Sequence, residues 1–416
     1  MSDAISGAGR ATNKSRLANG SRTPIATDFQ HVVVGAGPMG ASAAKYLAES
    51  GARVLLLAPE EPAGSAGSGR YSSHGDHSRI TRSLDSHPVW ARLAKRSIDR
   101  YRRIEGDSGV SFFNDVGCLT IFEGAKTVNR PQVEAVEAIA AAERVEHRRL
   151  TSADLERDFA WLSLPEGCKG FHETRNAGWV SPRDFVRAQI TVGMQHGLEV
   201  CREPAVGSVV ERNRVSVETP SGQRFRSENA LFAMGMHTVT DFPVVVPAPL
   251  KVFARTFVHV PLTEQQATGL ADLPSLIVRG VDDRQNCYVI PPVRYPDGRY
   301  YIKIGGGRRE HSLETGKEII EWFASQGDME VRATLLQHLG KLIPSTRAES
   351  GQPQACAITV TESGLPLIKR AQRRVGVLTA GNGHAAKSGD EIGRVGADRI
   401  LGREDWDRDY DRAFSG

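Results

Sequence analysis

Arg79 and Arg82 stand three residues apart in HGDHSRITRS, His74 to Ser83, with His74, Asp76 and His77 beside them. Two guanidinium groups this close can hold one anion through paired N–H donors. Read as a helix, positions i and i+3 bring both to one side, which equally describes an ordinary solvated face; the pattern alone leaves both uses open. His384 and Lys387, also three apart, follow a turn at Gly381-Asn382-Gly383. Lys303 lies in RYYIKIGGG, after a Pro-Asp-Gly turn whose other arm is CYVI. In such a hairpin strand, alternation points Lys303 and Tyr301 to solvent. Cys356 sits in an apolar stretch, the usual place of an inert buried thiol. Gly35, Gly37 and Gly40 spell GxGxxG, a turn whose bare backbone can approach a pyrophosphate.

These residues need elements to hold them. From His31 the chain reads HVVVGAGPMGASAAKYLAESGARVLLLAPEEP: a β-branched run, the glycine turn, an Ala-rich helix, a stop at Gly51 and a second apolar strand, Val54 to Leu57. This is βαβ with the glycine turn at its first strand-to-helix junction, the context that makes the motif informative. Its pyrophosphate site comprises Gly35, Gly37, Pro38, Met39 and Gly40, with free helix N–H groups behind them. The acid expected after the second strand for the adenosine ribose is replaced by Ala58, leaving Glu60 or Glu61 to reach back. Two later segments return to the same kind of sheet: NALFAMGMHT, Asn229 to Thr238, and RVGVLTAGNGHAAKSGDEIG, Arg374 to Gly393. Such distant returns fit FAD proteins of the glutathione-reductase type rather than NAD enzymes with one Rossmann unit.

At 416 residues the chain exceeds the usual size of one domain. A net charge of +4 over that length argues for neither nucleic acid nor an anionic membrane surface. Five cysteines without CxxC spacing encode neither a disulfide framework nor a zinc site, and no metal is expected; a reducing, cytoplasmic setting follows. No apolar run approaches the roughly 20 residues that span a bilayer. Residues 1–28 read as a disordered tail without the apolar segment of a signal peptide.

Four separated motifs in order, GxGxxG, HGDHSRITR, the lysine of IKIGGG, and Cys356 in ACAITVTESGLPLI with GNGHAAK, give the chain a resemblance. It resembles the monomeric sarcosine oxidase and N-methyltryptophan oxidase family of FAD-dependent amine oxidases, within the D-amino-acid-oxidase-like flavoproteins, from about His31 to about Arg403. NAGWVSPRDFVRAQI, 176 to 190, is similar to that family's strand-to-helix entry back into the FAD domain. The resemblance implies an α/β fold (α+β overall): a Rossmann-like FAD-binding domain at 29–110, 168–240 and 345–416, and a mostly antiparallel sheet substrate domain at 111–167 and 241–344. It implies FAD tethered through a thioether from Cys356, with His74, Gly381, Gly383 and Lys387 also around the cofactor. It implies Arg79 beside the flavin, Lys303 over it as the charge that promotes reaction with oxygen, and Arg82 with Lys387 on a substrate carboxylate, His384 being a further catalytic position.

The implied reaction is oxidation of a secondary amine to an imine with oxygen reduced to hydrogen peroxide. The implied partners are a small amino-acid-like substrate and oxygen, and the implied assembly is a monomer or simple homo-oligomer. Small-substrate members carry an aromatic residue and a histidine where this chain has Ile358 and Gly307, so the substrate is expected to exceed sarcosine in size. The alternatives are a flavin dehydrogenase serving a non-oxygen acceptor, and a flavin-binding subunit of a larger complex.

Overall fold

The computed structural model describes residues 27–60, 72–239, 242, 246–307, 311–346, 348, 350–403 and 410–414. Residues 1–26, most of the expected tail, and Glu61 lie outside the described residues. The βαβ unit forms where expected: strand Asp28–Val34, helix Pro38–Glu49, strand Val54–Leu57. Its strands are apolar on both faces because both faces are covered. Val33 and Leu56 pack under the helices, while Val32, Val34, Leu55 and Leu57 pack into a second cluster opposite.

Asp28–Val34 runs parallel between Val54–Leu57 and Arg224–Phe232. Val54–Leu57 pairs in parallel with Glu199–Cys201. Val375–Thr379 pairs in parallel with the end of Arg224–Phe232, so both expected returns reach the same eight-stranded sheet. Helix Ala385–Leu401 crosses Pro38–Glu49 closely because Gly389 and Gly393 carry no side chain there: an added Cβ on Gly393 would stand 2.4 Å from the Ser42 Cβ.

A second eight-stranded sheet runs in the order Gln352–Thr361, Leu250–Leu262, Tyr300–Gly306, Cys287–Arg294, Ser275–Arg279, Cys118–Phe122, Lys169–Glu173, Arg148–Leu150. Every pairing is antiparallel except that of Ser275–Arg279 with Cys118–Phe122. Two of its strands, Lys169–Glu173 and Gln352–Thr361, fall in segments expected for the FAD domain. Lys169–Glu173 covers the open edge of Cys118–Phe122, where Phe171 meets Phe122 edge-on at 5.8 Å. Gln352–Thr361 pairs along ten residues of Leu250–Leu262. A small sheet of Arg79–Thr81, Gly178–Val180 and Phe113–Asn114 completes the strands that position the site.

Candidate active site

A cavity of about 1280 Å³ is lined by the glycine turn, the segment Ser72–His74, the strand of Cys356 and the turn before helix Ala385–Leu401. Of the charged residues described along its wall, Glu60 is the one acid, against seven arginines and Lys387. That balance suits anions.

The three glycines divide the work. Gly35 has φ +103°, and a Cβ there would stand 2.4 Å from the Ala233 carbonyl oxygen. A Cβ on Gly40 would stand 2.0 Å from the Gly35 oxygen. Gly37 alone is open, its nearest neighbour being His74 Nδ1 at 3.8 Å. As N-cap of Pro38–Glu49 it offers no side-chain cap, and no acid sits in the first turn, so the helix's leading N–H groups face an anion site. Ala58 is buried and bonded through its N–H to Cys201 O, and Glu60 lines the cavity just beyond.

The other helix entry is built from strained turns. Ala380, Asn382 and Gly383 have φ of +57°, +48° and +78°, and Asn382 N–H donates to Thr359 O at 3.0 Å, tying the turn to the strand of Cys356. Cys356 is the one cysteine that is not buried. Its Sγ lines the cavity 3.7 Å from an Arg79 Nη.

Arg79 and Arg82 are not on a helix. Arg79–Thr81 is a strand paired to Gly178–Val180, because Ile80 and Thr81 are β-branched and the segment closes the small sheet. The arginines therefore serve different ends of the cavity. Arg79 donates to Asp76, to Ser73 O at 3.1 Å and to Ser78 O at 2.9 Å. Asp76 also accepts from Lys303 Nζ at 2.5 Å and from the Tyr295 hydroxyl at 3.0 Å, with His259 Nε2 3.4 Å away. Burial opposes a charged Asp76, yet Lys303 and Arg79 hold its carboxyl well below the usual range.

Lys303 is 1% exposed, so alternation misplaces it; it points inward rather than to solvent. The face it occupies is roofed by Phe257, whose ring centroid lies 4.4 Å from Nζ. Its ammonium stands behind a wall formed by Arg79, Phe257 and Tyr288, and burial, then Arg79, push its pKa down to about 8 against the pull of Asp76.

At the other end Lys387 Nζ donates to Asp85 Oδ2 at 2.8 Å and Arg82 Nη1 to the same oxygen at 3.4 Å. Arg82 and Lys387 thus converge as expected, but around a carboxylate of the chain itself. Burial pushes Lys387 down to about 8, opposed by Asp85. Burial, then Lys387, push His384 down to about 3, leaving a neutral imidazole at neutral pH, stacked on Trp90 at 4.5 Å between centroids. Ile358 lines the cavity beside Gly383. Gly307 does not: its missing side chain would face Leu335 and Val331 beside a separate small pocket, so its lack of bulk cannot enlarge the main cavity.

Three residues here escaped the sequence reading. Asp85 follows Arg82 by three, a spacing with no distinctive signature. Glu173, fully buried, accepts N–H bonds from Ser83 at 2.8 Å and Leu84 at 3.3 Å and fixes the segment between Arg82 and Asp85; burial pushes it up to about 7. Arg279 ends an apolar strand, where the alternation of SLIVR cannot show which side it takes.

Comparison with known proteins settles the family. The FAD dependent oxidoreductase (DAO) profile matches residues 30–399. The chain belongs to the FAD dependent oxidoreductase family. Peroxisomal sarcosine oxidase of Homo sapiens is 30% identical over 369 residues, 88% of this chain and 90% of that protein. A monomeric sarcosine oxidase of Streptomyces avermitilis is 32% identical over 196 residues, 46% of this chain and 48% of the relative, so the chain spans about half the length of that enzyme. Among solved structures, the open form of NikD, an unusual amino acid oxidase essential for nikkomycin biosynthesis, superposes with a TM-score of 0.74 at 20% identity, covering 94% of this chain and 98% of that one. L-proline dehydrogenase of P. horikoshii gives 0.75 at 16% identity, covering 93% and 97%. At these identities the structures share the fold alone with this FAD dependent oxidoreductase. The open face of Gly37, the uncapped helix start and the cationic wall fit the pyrophosphate of FAD.

Proposed function

We propose that the protein oxidises a secondary amine in an N-methyl, N-alkyl or cyclic amino acid larger than sarcosine, giving an imine and passing electrons from FAD to oxygen to form hydrogen peroxide. The observation that carries this reading is the convergence of Arg82 and Lys387, from remote segments, on the cavity that also holds the glycine turn and Cys356. FAD supplies the two-electron acceptor for the carbon next to the amine. The chain's own residues supply the rest. Arg82 and Lys387 share one Asp85, so the trio keeps one net positive charge for a substrate carboxylate. Neutral His384, held on Trp90, adds no charge to repel an amine. An amine bound as its free base needs no general base, and none is required of these side chains.

Cys356, exposed to the cavity while the other thiols are buried, is the residue we assign to covalent attachment of FAD. We divide the chain into a discontinuous FAD domain built on the first sheet and a substrate domain built on the second. Five cysteines outside any disulfide fit a reducing, cytoplasmic setting. Among the described residues no helix is long and apolar enough to cross a membrane.

A dehydrogenase using another electron acceptor is favoured by one observation: the Lys303 ammonium is paired with Asp76 and stands behind the cavity wall. Screening N-methyl and cyclic amino acids for imine and peroxide tests both. Turnover with peroxide equal to imine supports the oxidase; imine formed only with an artificial acceptor supports the dehydrogenase; no product from any member contradicts the proposal.

A further inference from the structure

Arg279 ends the strand Ser275–Arg279 and lines the same cavity as Arg82, Lys387 and His384. Its backbone oxygen is committed, accepting from Glu123 N–H at 2.9 Å and Asn129 Nδ2 at 3.2 Å. Its guanidinium makes no hydrogen bond or ion pair among the described residues. Burial, and then the neighbouring Arg82, disfavour its charge, while Asp85 and Asp283 favour it only at a distance. Asp85 is already taken by Lys387 and Arg82, and Asp283 by Asn286.

A guanidinium carries five donors and stays charged in proteins; none of Arg279's nitrogens is among the fully buried atoms without a partner, so its donors face the cavity, where a ligand that displaces water must supply acceptors in its place. The charge at this end of the cavity can be summed. Arg82, Lys387 and Asp85 leave +1, neutral His384 adds nothing, Arg279 adds +1, and Glu173, pushed up to about 7 by burial, takes charge away only as pH rises past that value. Below it, one carboxylate of an ordinary amino acid would neutralise the first charge and leave the second. A planar fork of donors matches a further carboxylate better than any neutral group.

We infer that Arg279 binds a second anionic group of the substrate, so that the amine oxidised belongs to an amino acid with two carboxylates. This rests on the amine-oxidation reading above. It narrows the substrate class to N-substituted or cyclic amino acids bearing an acidic side chain or an acidic N-substituent.

The test is titration of the FAD-loaded protein with pentanoate against glutarate and hexanoate against adipate, pairs that differ only in the second carboxylate, followed by the flavin spectrum. The wild type should bind at least one dicarboxylate about tenfold or more tightly than its partner. Arg279→Leu should lose that preference while keeping its affinity for the monocarboxylate within about twofold. Arg279→Lys, which keeps the charge and guards against a merely misfolded variant, should retain part of it. Equal binding of mono- and dicarboxylates by the wild type, or a preference that survives Arg279→Leu, overturns the inference and leaves amine oxidation standing. No spectral response to any of the four acids removes the carboxylate site and the inference together.

Discussion

Cys356 is the residue whose role a single preparation can decide. Its Sγ lines the cavity beside Arg79, and a thioether to FAD survives unfolding whereas non-covalent binding does not. Acid precipitation should therefore leave yellow colour in the pellet, and Cys356→Ser should release it to the supernatant; a colourless pellet from the unmodified protein contradicts attachment. Lys303 makes a prediction about pH. Its pKa is pushed down to about 8, so the neutral fraction grows as pH rises through that value, and the charge we propose to favour electron transfer to oxygen is lost. Reoxidation of reduced FAD by oxygen should fall above about pH 8, and Lys303→Met should be slower by roughly a hundredfold, the size of one preorganised charge, without that pH dependence. An unchanged profile in the variant would mean that Lys303 serves only to anchor Asp76. Residue types were legible in the sequence, but their partners were not. Asp76 and Asp85 are each one carboxylate among many until the fold places them between two cations.

Elements were legible where period and turn chemistry agree. The βαβ unit, the hairpin of Lys303 and both returns to the first sheet follow from apolar runs punctuated by glycine. Arg79–Thr81 was not, because three residues are too few for a period, and the strand exists only through its pairing with Gly178–Val180. At Gly37 the element itself can be tested. Its φ of −70° suits alanine, and an added Cβ meets nothing closer than 3.8 Å, so Gly37→Ala should fold normally. That methyl occupies the open side to which we assign the pyrophosphate. Measured in the Cys356→Ser background, FAD affinity should drop by at least about tenfold with the melting temperature of the FAD-free protein unchanged. Undiminished affinity would show that the phosphates lie elsewhere.

At the scale of the molecule, four helices are tied by one buried network. Asp390, fully buried, accepts from Lys45 at 2.9 Å, Tyr46 at 2.9 Å, Arg100 at 2.6 Å and Gln189 at 3.1 Å, and its neighbour Glu391 pairs with Arg100 and Arg394. Asp390→Ala would strand Lys45 and part of Arg100 without a counterion. Removing one partner of a buried pair costs about 3 to 5 kcal/mol, which should appear as a lower denaturation midpoint, whereas a loss below about 1 kcal/mol would show that water reaches the site. Sequence could not reveal this network, since Lys45 and Asp390 lie 345 residues apart and each sits on a helix face that looks merely polar. The same long-range closure brings Arg82 to Lys387 and makes the central claim testable. The direct measurement is anaerobic mixing of the oxidised, FAD-loaded wild type and Arg82→Ala with secondary amino acids and with the same amines lacking their carboxylates. The account predicts bleaching of the wild-type flavin by at least one carboxylate-bearing amine. Arg82→Ala leaves Asp85 and Lys387 as a neutral pair and removes one of the guanidinium groups facing the carboxylate, so binding should weaken by roughly 2 to 5 kcal/mol, with little change for the decarboxylated amines. A flavin that bleaches equally with and without the carboxylate, or with neither, contradicts it.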